Sequence, residues 1–242
     1  MSKVLITAPL RQDIRVFREY QAGLDALEIP EGVTVDRYFV VNNCPEVVPE
    51  IHGAEFDVSD IDLEYTKTHN DHLWTLELMA AMSQLRNDTI QYALDRGYDY
   101  WFSVDTDIVL HPATLKVLLE ADKDIVSEIF WTKAPSGMWW CNGWMYDQCD
   151  FGGHLKDWAT PGLYRIGMTG AAMLVKRKVL EAGVSYTQIP NIRTALRGED
   201  RHFCIRAACA GFELWMDTHY PAEHLYTMEV YEQYMRDRYG DS

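Results

Sequence analysis

Short apolar runs alternate with stretches of helical periodicity in the first part of the chain. Residues 3–8 form a β-like run that Pro9 is expected to end, and residues 33–41 form a second run that ends in a turn. Between them, residues 12–27 carry apolar side chains at roughly helical spacing. This pattern predicts a βαβ unit.

A continuous run of aromatic and β-branched residues covers residues 98–104, and Asp105 follows it directly. Such a run is typical of a buried parallel strand. Two helices are predicted ahead of it: one over residues 71–85, and a shorter one that is capped by Asn87-Asp88.

Residues 133–162 differ from the rest in composition and pattern, because they are rich in Trp and Gly and their apolar residues show only weak periodicity. Segments of this kind are typical of irregular functional loops. The regular elements predicted around this segment are a helix with Pro112 at its first position, a strand over 124–131, an ordered stretch over 164–175, helices over 177–182 and 199–210, a short strand over 212–216 and a Tyr-rich helix after it.

Strands that alternate with helices imply an α/β sandwich, in which a mostly parallel central sheet is flanked by helices. The chain has 242 residues, of which 48% are hydrophobic, and single cores grow to about 250–300 residues. We therefore expect a single domain over residues 1–242. No stretch of about 18 apolar residues occurs, so no membrane span is predicted.

Acidic residues outnumber basic ones, with 37 Asp and Glu against 22 Lys and Arg and a formal charge of −15. This charge disfavours an extensive nucleic-acid surface but leaves room for a local pocket that holds one nucleotide. The five cysteines include no C-x-x-C pair and signal neither a disulfide framework nor a zinc site. Because no signal-peptide core is found either, we expect a cytoplasmic protein.

Asp105 and Asp107 lie one residue apart where the apolar run ends. Two carboxylates in such a setting are costly unless something compensates their charge. Oxygen ligands of this kind suit Mn²⁺ or Mg²⁺, which also bridge the phosphates of a nucleotide diphosphate. Open α/β sheets bind ligands at the carboxyl ends of their strands. One interpretation is thus a metal and nucleotide site, and the other is a cap for the following helix.

Residues 101–108, W-F-S-V-D-T-D-I, resemble the D-x-D strand of GT-A glycosyltransferases. The resemblance implies the Rossmann-like GT-A fold, with a nucleotide-sugar-binding half over residues 1–110 and an acceptor-side half over 111–242. It also implies that Asp107 binds the metal directly and that Asp105 contacts the donor or the metal. Thr106, between them, is assigned to the donor.

Residues 198–207, G-E-D-R-H-F-C-I-R-A, and the G-F pair that follows them resemble the E-D-x-x-F-C-x-R-A…G-F segment of the same superfamily. The resemblance places the acidic pair on the acceptor side of the cleft. Asp200, or with less support Glu199, is then the candidate general base. The alternative is that both residues only favour a helix N-terminus electrostatically.

Two further residues follow from the same resemblance. His224 lies where many GT-A enzymes have a His that completes the metal site, and His219 is its competitor. Residues 168–174, M-T-G-A-A-M-L, look like the small-residue strand that borders the donor sugar and acceptor. Gly170 is therefore assigned to the donor site, since a small side chain lets a ligand approach the backbone.

The T-A-P-L-R segment resembles the stretch that receives the nucleotide in fungal mannan-polymerase mannosyltransferases, which assigns Thr7, Pro9 and Arg11 to the donor. Residues 85–88, L-R-N-D, resemble the A-R-N segment of the same enzymes. Arg86 is expected to bind the diphosphate through its planar fork of donors. For both arginines, surface solvation is the alternative.

Together the motifs predict a metal-dependent transfer of a hexose from a nucleotide diphosphate sugar to a hydroxyl acceptor. A UDP-sugar is favoured and GDP-mannose is the other donor, while the acceptor and the stereochemistry stay open. The alternatives are a metal-dependent nucleotidyltransferase and a non-catalytic sugar-binding module. Trp139, Trp140 and Trp144 either stack on sugars or cover the donor, or they belong to a local core.

Overall fold

A mixed β-sheet runs through the centre of the protein and carries helices on both faces. The structure is a computed structural model that describes residues 1–59, 61, 75–133, 136–145, 153–190 and 198–240. The strands are β1 (Ser2–Leu10), β2 (Val33–Asn42), β3 (Glu55–Ser59), β4 (Tyr100–Ser103), β5 (Ile108–Val109), β6 (Ile125–Lys133), β7 (Trp139–Cys141), β8 (Gly143–Trp144), β9 (Leu163–Ile166), β10 (Met168–Thr169), β11 (Met173–Lys176) and β12 (Leu214–His224). The helices are α1 (Ile14–Asp25), α2 (Leu76–Asp95), α3 (Thr114–Glu120), α4 (Gly153–Trp158), α5 (Arg177–Glu181), α6 (Asp200–Cys209) and α7 (Met228–Tyr239), with a 3₁₀ helix over Pro45–Glu50.

The strand order in the main sheet is β3-β2-β1-β4-β11-β6-β12-β5. The first four strands are parallel to their neighbours, and so are β6 and β12, whereas β11 is antiparallel to both β4 and β6. This confirms the predicted α/β fold with a mostly parallel central sheet. Parallel strands place their carboxyl ends at one edge, so β4 ends beside the last part of β1, with Ser103 opposite Thr7 and β1 continuing to Leu10.

The core has two parts because side chains alternate between the two faces of β4. Trp101 lies in the cluster that includes Leu85 of α2 and Phe203 of α6, and its ring stacks on that of Phe203. Phe102 lies in the other cluster with Phe17 of α1. Both strand residues are almost fully buried, so β4 is held rigidly from both sides.

The region before β4 differs from the prediction of two helices. The structure has one continuous helix, α2, through the predicted cap, and residues 71–74 of the predicted first helix lie outside the described residues. The Asn87 side chain accepts a hydrogen bond from the backbone N–H of Tyr186, and Asp88 accepts one from Gln84. Because both side chains bind elsewhere, they do not cap a new helix, and the prediction was wrong.

Three other element boundaries differ from the predicted ones. β1 continues through Pro9 to Leu10, because β4 pairs with β1 only as far as Thr7, and among the described strands Pro9 then has β2 alone as a neighbour, as at a sheet edge, where proline is tolerated. α3 begins at Thr114, beyond Pro112. The strand predicted over 212–216 extends as β12 as far as His224, because it pairs with β6, β9 and β5 in turn.

The remaining elements agree more closely with the sequence patterns. The helices α5 and α6 are followed by Gly183 and Gly211, whose positive φ angles of 83° and 88° suit glycine at a helix end. The Tyr-rich helix α7 packs on Val16, Val109 and Leu225 through its partly buried side chains. Within the described part of the chain, every helix is too short or too polar to cross a membrane.

Candidate active site

Arg86, in the middle of α2, joins two acidic residues that lie far apart in the sequence. Its Nε lies 2.8 Å from Oε1 of Glu199, and its Nη2 lies 2.9 Å from Oδ1 of Asp105. Its Nη1 donates a third hydrogen bond to Oγ of Ser103, at 3.0 Å. Arg86 is only 4% exposed, so this cation depends on the two carboxylates for compensation.

The electrostatics of this cluster are those of a buried, paired charge. Burial alone would lower the pKa of Arg86, but the negative charges of Asp105 and Glu199 hold that pKa well above its ordinary value. The guanidinium is therefore always charged. The Asp105 side chain is 35% exposed. Part of its carboxylate, just beyond the end of β4, is therefore accessible to solvent.

Asp107, one of the predicted metal ligands, lies next to His224, another of them. The Nε2 of His224 is 3.6 Å from Oδ2 of Asp107, and both side chains are largely buried. The pairing of β5 with β12 sets this distance, because His224 lies opposite Ile108 and the backbone N–H of Leu225 donates to the carbonyl of Asp107 at 2.7 Å.

A third residue orients the His224 ring. The Oγ1 of Thr132, at the end of β6, lies 2.8 Å from Nδ1 of His224. This contact occupies one ring nitrogen and turns the other towards Asp107. In metal sites, a hydrogen bond at the second ring nitrogen is the usual way in which a ligating His is held.

The residues present fit a divalent cation. An imidazole nitrogen and a carboxylate oxygen that face each other are suitable ligands for Mn²⁺, and the carboxylate also suits Mg²⁺; both ions complete their coordination with water and substrate phosphates. Among the described residues, no three His, Cys, Asp or Glu side chains gather in one potential metal site. Asp107 and His224 would thus supply only part of the coordination, and the metal remains a prediction.

Asp200 is the first residue of α6 and directly follows Glu199 in the sequence. It packs against Gly170, where an added Cβ would come within 2.7 Å of the Asp200 Cγ. Its Oδ1 and the Oε2 of Glu199 are buried and find no hydrogen-bond partner among the described residues. Burial raises the pKa of the Asp200 carboxyl well above its usual range, Glu199 raises it further, and Arg86 opposes the shift.

The other predicted donor residues lie around the carboxyl ends of β1 and β4. Thr7 is fully buried and Thr106 nearly so, whereas Arg11 is exposed and Pro9 is partly buried. The direct contacts among Asp105, Arg86 and Glu199 do not test the roles of these four residues. Their roles at the donor remain predictions.

Two contacts of this site were missed by the sequence reasoning. Ser103 carried a weak signal, since it is a polar residue inside an otherwise apolar strand. Thr132 carried none, because its contact with His224 exists only once β6 and β12 pair over a separation of 92 positions.

A family model identifies the class of protein to which the chain belongs. The family model described as "Glycosyltransferase family 25, N-terminal domain" matches residues 40–205, which is more than half of the chain. The chain belongs to this family. It is therefore a glycosyltransferase, which decides against the nucleotidyltransferase and the non-catalytic sugar-binding module.

Solved structures show the same fold. The structure of S. aureus TarS 1–349 in complex with UDP matches with a TM-score of 0.56 and 11% identity, over 98% of this chain and 64% of that one. TarS 1–349 in complex with UDP-GlcNAc gives a TM-score of 0.51 and 11% identity, over 96% and 61% of the two chains. Another TarS structure gives a TM-score of 0.54 and 13% identity, over 98% and 38%. The chain thus spans less than two thirds of these TarS chains.

No curated protein matches the chain. The comparisons support the broader prediction of a GT-A-like glycosyltransferase. They leave the resemblance to fungal mannan-polymerase mannosyltransferases unconfirmed.

Proposed function

We propose that the protein transfers a hexosyl group from a UDP-sugar to a hydroxyl acceptor, with Mn²⁺ or Mg²⁺ as cofactor. The observation that carries the proposal is the bridge from Asp105 through Arg86 to Glu199, with Asp200 beside it. It joins the predicted donor side to the predicted acceptor side. The TarS complexes with UDP and UDP-GlcNAc support UDP as the nucleotide.

Asp107 and His224 are the residues that would hold the metal. When bound, the cation would offset the charge that develops on the departing diphosphate. Thr132 holds the imidazole with its Nε2 towards Asp107. Arg86 holds Asp105 in place, so that the open part of this carboxylate faces the donor.

Asp200 is the proposed general base. Its carboxylate takes the proton from the attacking hydroxyl while the acceptor oxygen bonds to the anomeric carbon, and UDP leaves with the electron pair of the broken bond. A carboxyl whose pKa is raised by burial is a stronger base than one in water once it has lost its proton. A protein base is what an inverting transfer needs, and we expect inversion.

The first experiment measures UDP or GDP release from a panel of UDP-hexoses and GDP-mannose, with and without Mn²⁺. We expect release from at least one UDP-sugar, loss of that activity with EDTA, and loss in Asp107→Ala. Asp237→Ala, which removes an exposed acid on α7, is the matched control and should behave as wild type. A folded wild-type protein that turns over no donor would contradict the proposal.

The second experiment tests the base. Asp200→Asn should lower transfer by about 10²–10⁴-fold while isothermal titration shows unchanged UDP affinity. In wild type, the transfer rate should rise with pH as Asp200 loses its proton, and the raised pKa moves this rise to higher pH than for an ordinary carboxyl. Transfer by Asp200→Asn at the wild-type rate would exclude Asp200 as base.

A further inference from the structure

The segment over residues 184–190, between α5 and α6 in the sequence, carries a fully buried aromatic ring. Tyr186 is 1% exposed. Its ring packs against those of Phe203 and Trp101, at centroid distances of 4.8 Å and 6.1 Å. The segment forms neither helix nor strand, so other contacts must keep this large side chain in place.

Two polar side chains bind the backbone around Tyr186. The Oδ1 of Asn87, on α2, accepts a hydrogen bond from the backbone N–H of Tyr186 at 2.9 Å. The Nη1 of Arg206, on α6, donates to the carbonyls of Ser185 and Thr187, at 2.7 Å each. The segment is therefore fastened to both helices that position the candidate active site.

These contacts involve motif residues to which the proposed reaction gives no role. Asn87 follows Arg86 in the segment over residues 85–88, and Phe203 and Arg206 belong to the segment over residues 198–207. All three contact Tyr186 or the residues beside it. Two motifs that are distant in the sequence thus meet at one ring.

The Tyr186 ring also contacts Arg86. The guanidinium carbon of Arg86 lies over the ring, 5.5 Å from its centre, which is within the range of a cation–π interaction. Three hydrogen bonds hold the N–H groups of the guanidinium, and the ring adds a contact that none of them supplies. Both side chains are buried, and cation–π contacts are strongest where water is excluded.

We propose that Tyr186 is a positioning residue for Arg86. Fastened by Asn87 and Arg206, its ring holds the guanidinium at the place where it reaches Asp105. This inference rests on the proposed function, in which Asp105 faces the donor. Without the ring, the guanidinium shifts and Asp105 shifts with it, so the binding of UDP weakens.

The test compares two tyrosines that each lie against an arginine, by calorimetric titration with UDP in the presence of Mn²⁺. Tyr186→Leu should raise the Kd by about tenfold, and Tyr186→Phe, which keeps the ring, should bind as wild type does. Tyr92→Leu is the matched control. Tyr92 lies 4.4 Å from the guanidinium carbon of Arg96, whose side chain is 52% exposed, and its removal should leave the Kd unchanged. A loss of folded protein alone would lower the stoichiometry and not the affinity, so the Kd separates positioning from stability.

A second measurement needs no ligand. The Nε–H of Arg86 is bonded to the buried carboxylate of Glu199, so its NMR signal, identified by its absence from Arg86→Lys, should exchange slowly with water. Exchange should be about tenfold faster in Tyr186→Leu and as slow as wild type in Tyr186→Phe. Arg206→Gln, which unfastens the segment from α6, should shift both measurements in the same direction. It replaces Tyr186→Leu if that variant does not fold.

Three results would overturn the inference: Tyr186→Leu keeps the wild-type UDP affinity or the wild-type exchange rate, Tyr186→Phe is as impaired as Tyr186→Leu, or Tyr92→Leu weakens UDP binding as much as Tyr186→Leu does. Failure of the proposed function is distinct. Wild type would then not bind UDP, whereas the exchange of the Arg86 Nε–H would still report whether the ring holds the guanidinium.

Discussion

The guanidinium of Arg86 and the carboxylate of Glu199 meet at 2.8 Å, although 113 positions separate them in the sequence. The contact connects the middle of α2 to the start of α6, and both side chains are almost completely buried. Since Arg86 also binds Asp105, one side chain fixes both an acid predicted to contact the donor and an acid predicted to lie on the acceptor side. We therefore interpret Arg86 as a positioning residue.

Replacing Arg86 with Gln should be strongly destabilising. It leaves Glu199 buried without its cation, and breaking one partner of a buried pair costs about 3–5 kcal/mol. Arg86→Lys keeps the positive charge but loses the planar guanidinium, whose separate N–H groups contact Asp105 and Glu199. We therefore expect an intermediate loss of stability together with weaker binding of the donor. Urea unfolding and UDP titration measure the two effects.

The control for Arg86 is Arg15→Gln, which breaks the exposed ion pair with Asp13. Solvent screens that pair, so the unfolding midpoint should hardly move. Equal midpoint shifts for Arg86→Gln and Arg15→Gln would show that the buried bridge has no special role.

Gly170→Ala should disturb the proposed base without removing it. The new methyl group would overlap the Asp200 carboxylate and force that side chain to move, so transfer should fall by about tenfold or more. UDP affinity is titrated alongside, because Gly170 is also assigned to the donor site, and a loss of UDP binding would support that assignment. Gly162→Ala is the comparison, because its methyl meets only the partly exposed ring of Tyr164, at 3.0 Å. A Gly170→Ala enzyme with full transfer activity would place the acceptor chemistry elsewhere.

Glu128→Gln should stabilise the protein at alkaline pH. Glu128 is fully buried opposite Asp217, and burial, aided by that neighbour, raises its pKa from 4.5 to about 10. The folded protein then keeps a proton that the unfolded chain releases above its ordinary pKa. Stability consequently falls as pH rises between these values, by at most about 1.4 kcal/mol per pH unit for one proton.

The measurement is the free energy of unfolding in urea from about pH 5 to pH 9. Glu128→Gln should flatten the decline seen in wild type, whereas the exposed Glu213→Gln should follow the wild-type curve. Parallel curves for wild type and Glu128→Gln would mean that Glu128 is ionised in the folded protein.

Thr132→Val tests how His224 is oriented. The substitution keeps the shape but removes the hydroxyl that contacts Nδ1, so Mn²⁺ affinity in the presence of UDP should fall by about 10–100-fold. Thr132→Ser retains the hydroxyl and should bind Mn²⁺ nearly as wild type does. If Thr132→Val binds Mn²⁺ normally, the hydroxyl does not support a metal ligand.

Much of the architecture could be predicted from local patterns, and the exceptions have physical causes. Local sequence patterns predicted the βαβ unit at the start, the buried strand before Asp105 and the glycines that follow α5 and α6. The break predicted at Asn87-Asp88 failed because residues distant in the sequence bind Asn87. β12 was predicted too short, because its second half depends on pairing with β5 and β6 and not on its own composition.

The sequence by itself determined the class of fold, the acidic triplet at the end of a buried strand, and the candidate acids and histidine downstream. Hydrophobic periodicity predicts the fold class and the buried strand, because each residue reports whether its own position is buried, whereas the downstream acids and histidine follow from the resemblance of their motifs to GT-A glycosyltransferases. Only the tertiary structure decided that Arg86 joins Asp105 to Glu199, that Thr132 orients His224, and that Gly170 lies against Asp200. These contacts arise from the packing of elements separated by many residues, and local periodicity carries no information about which distant partner a side chain meets.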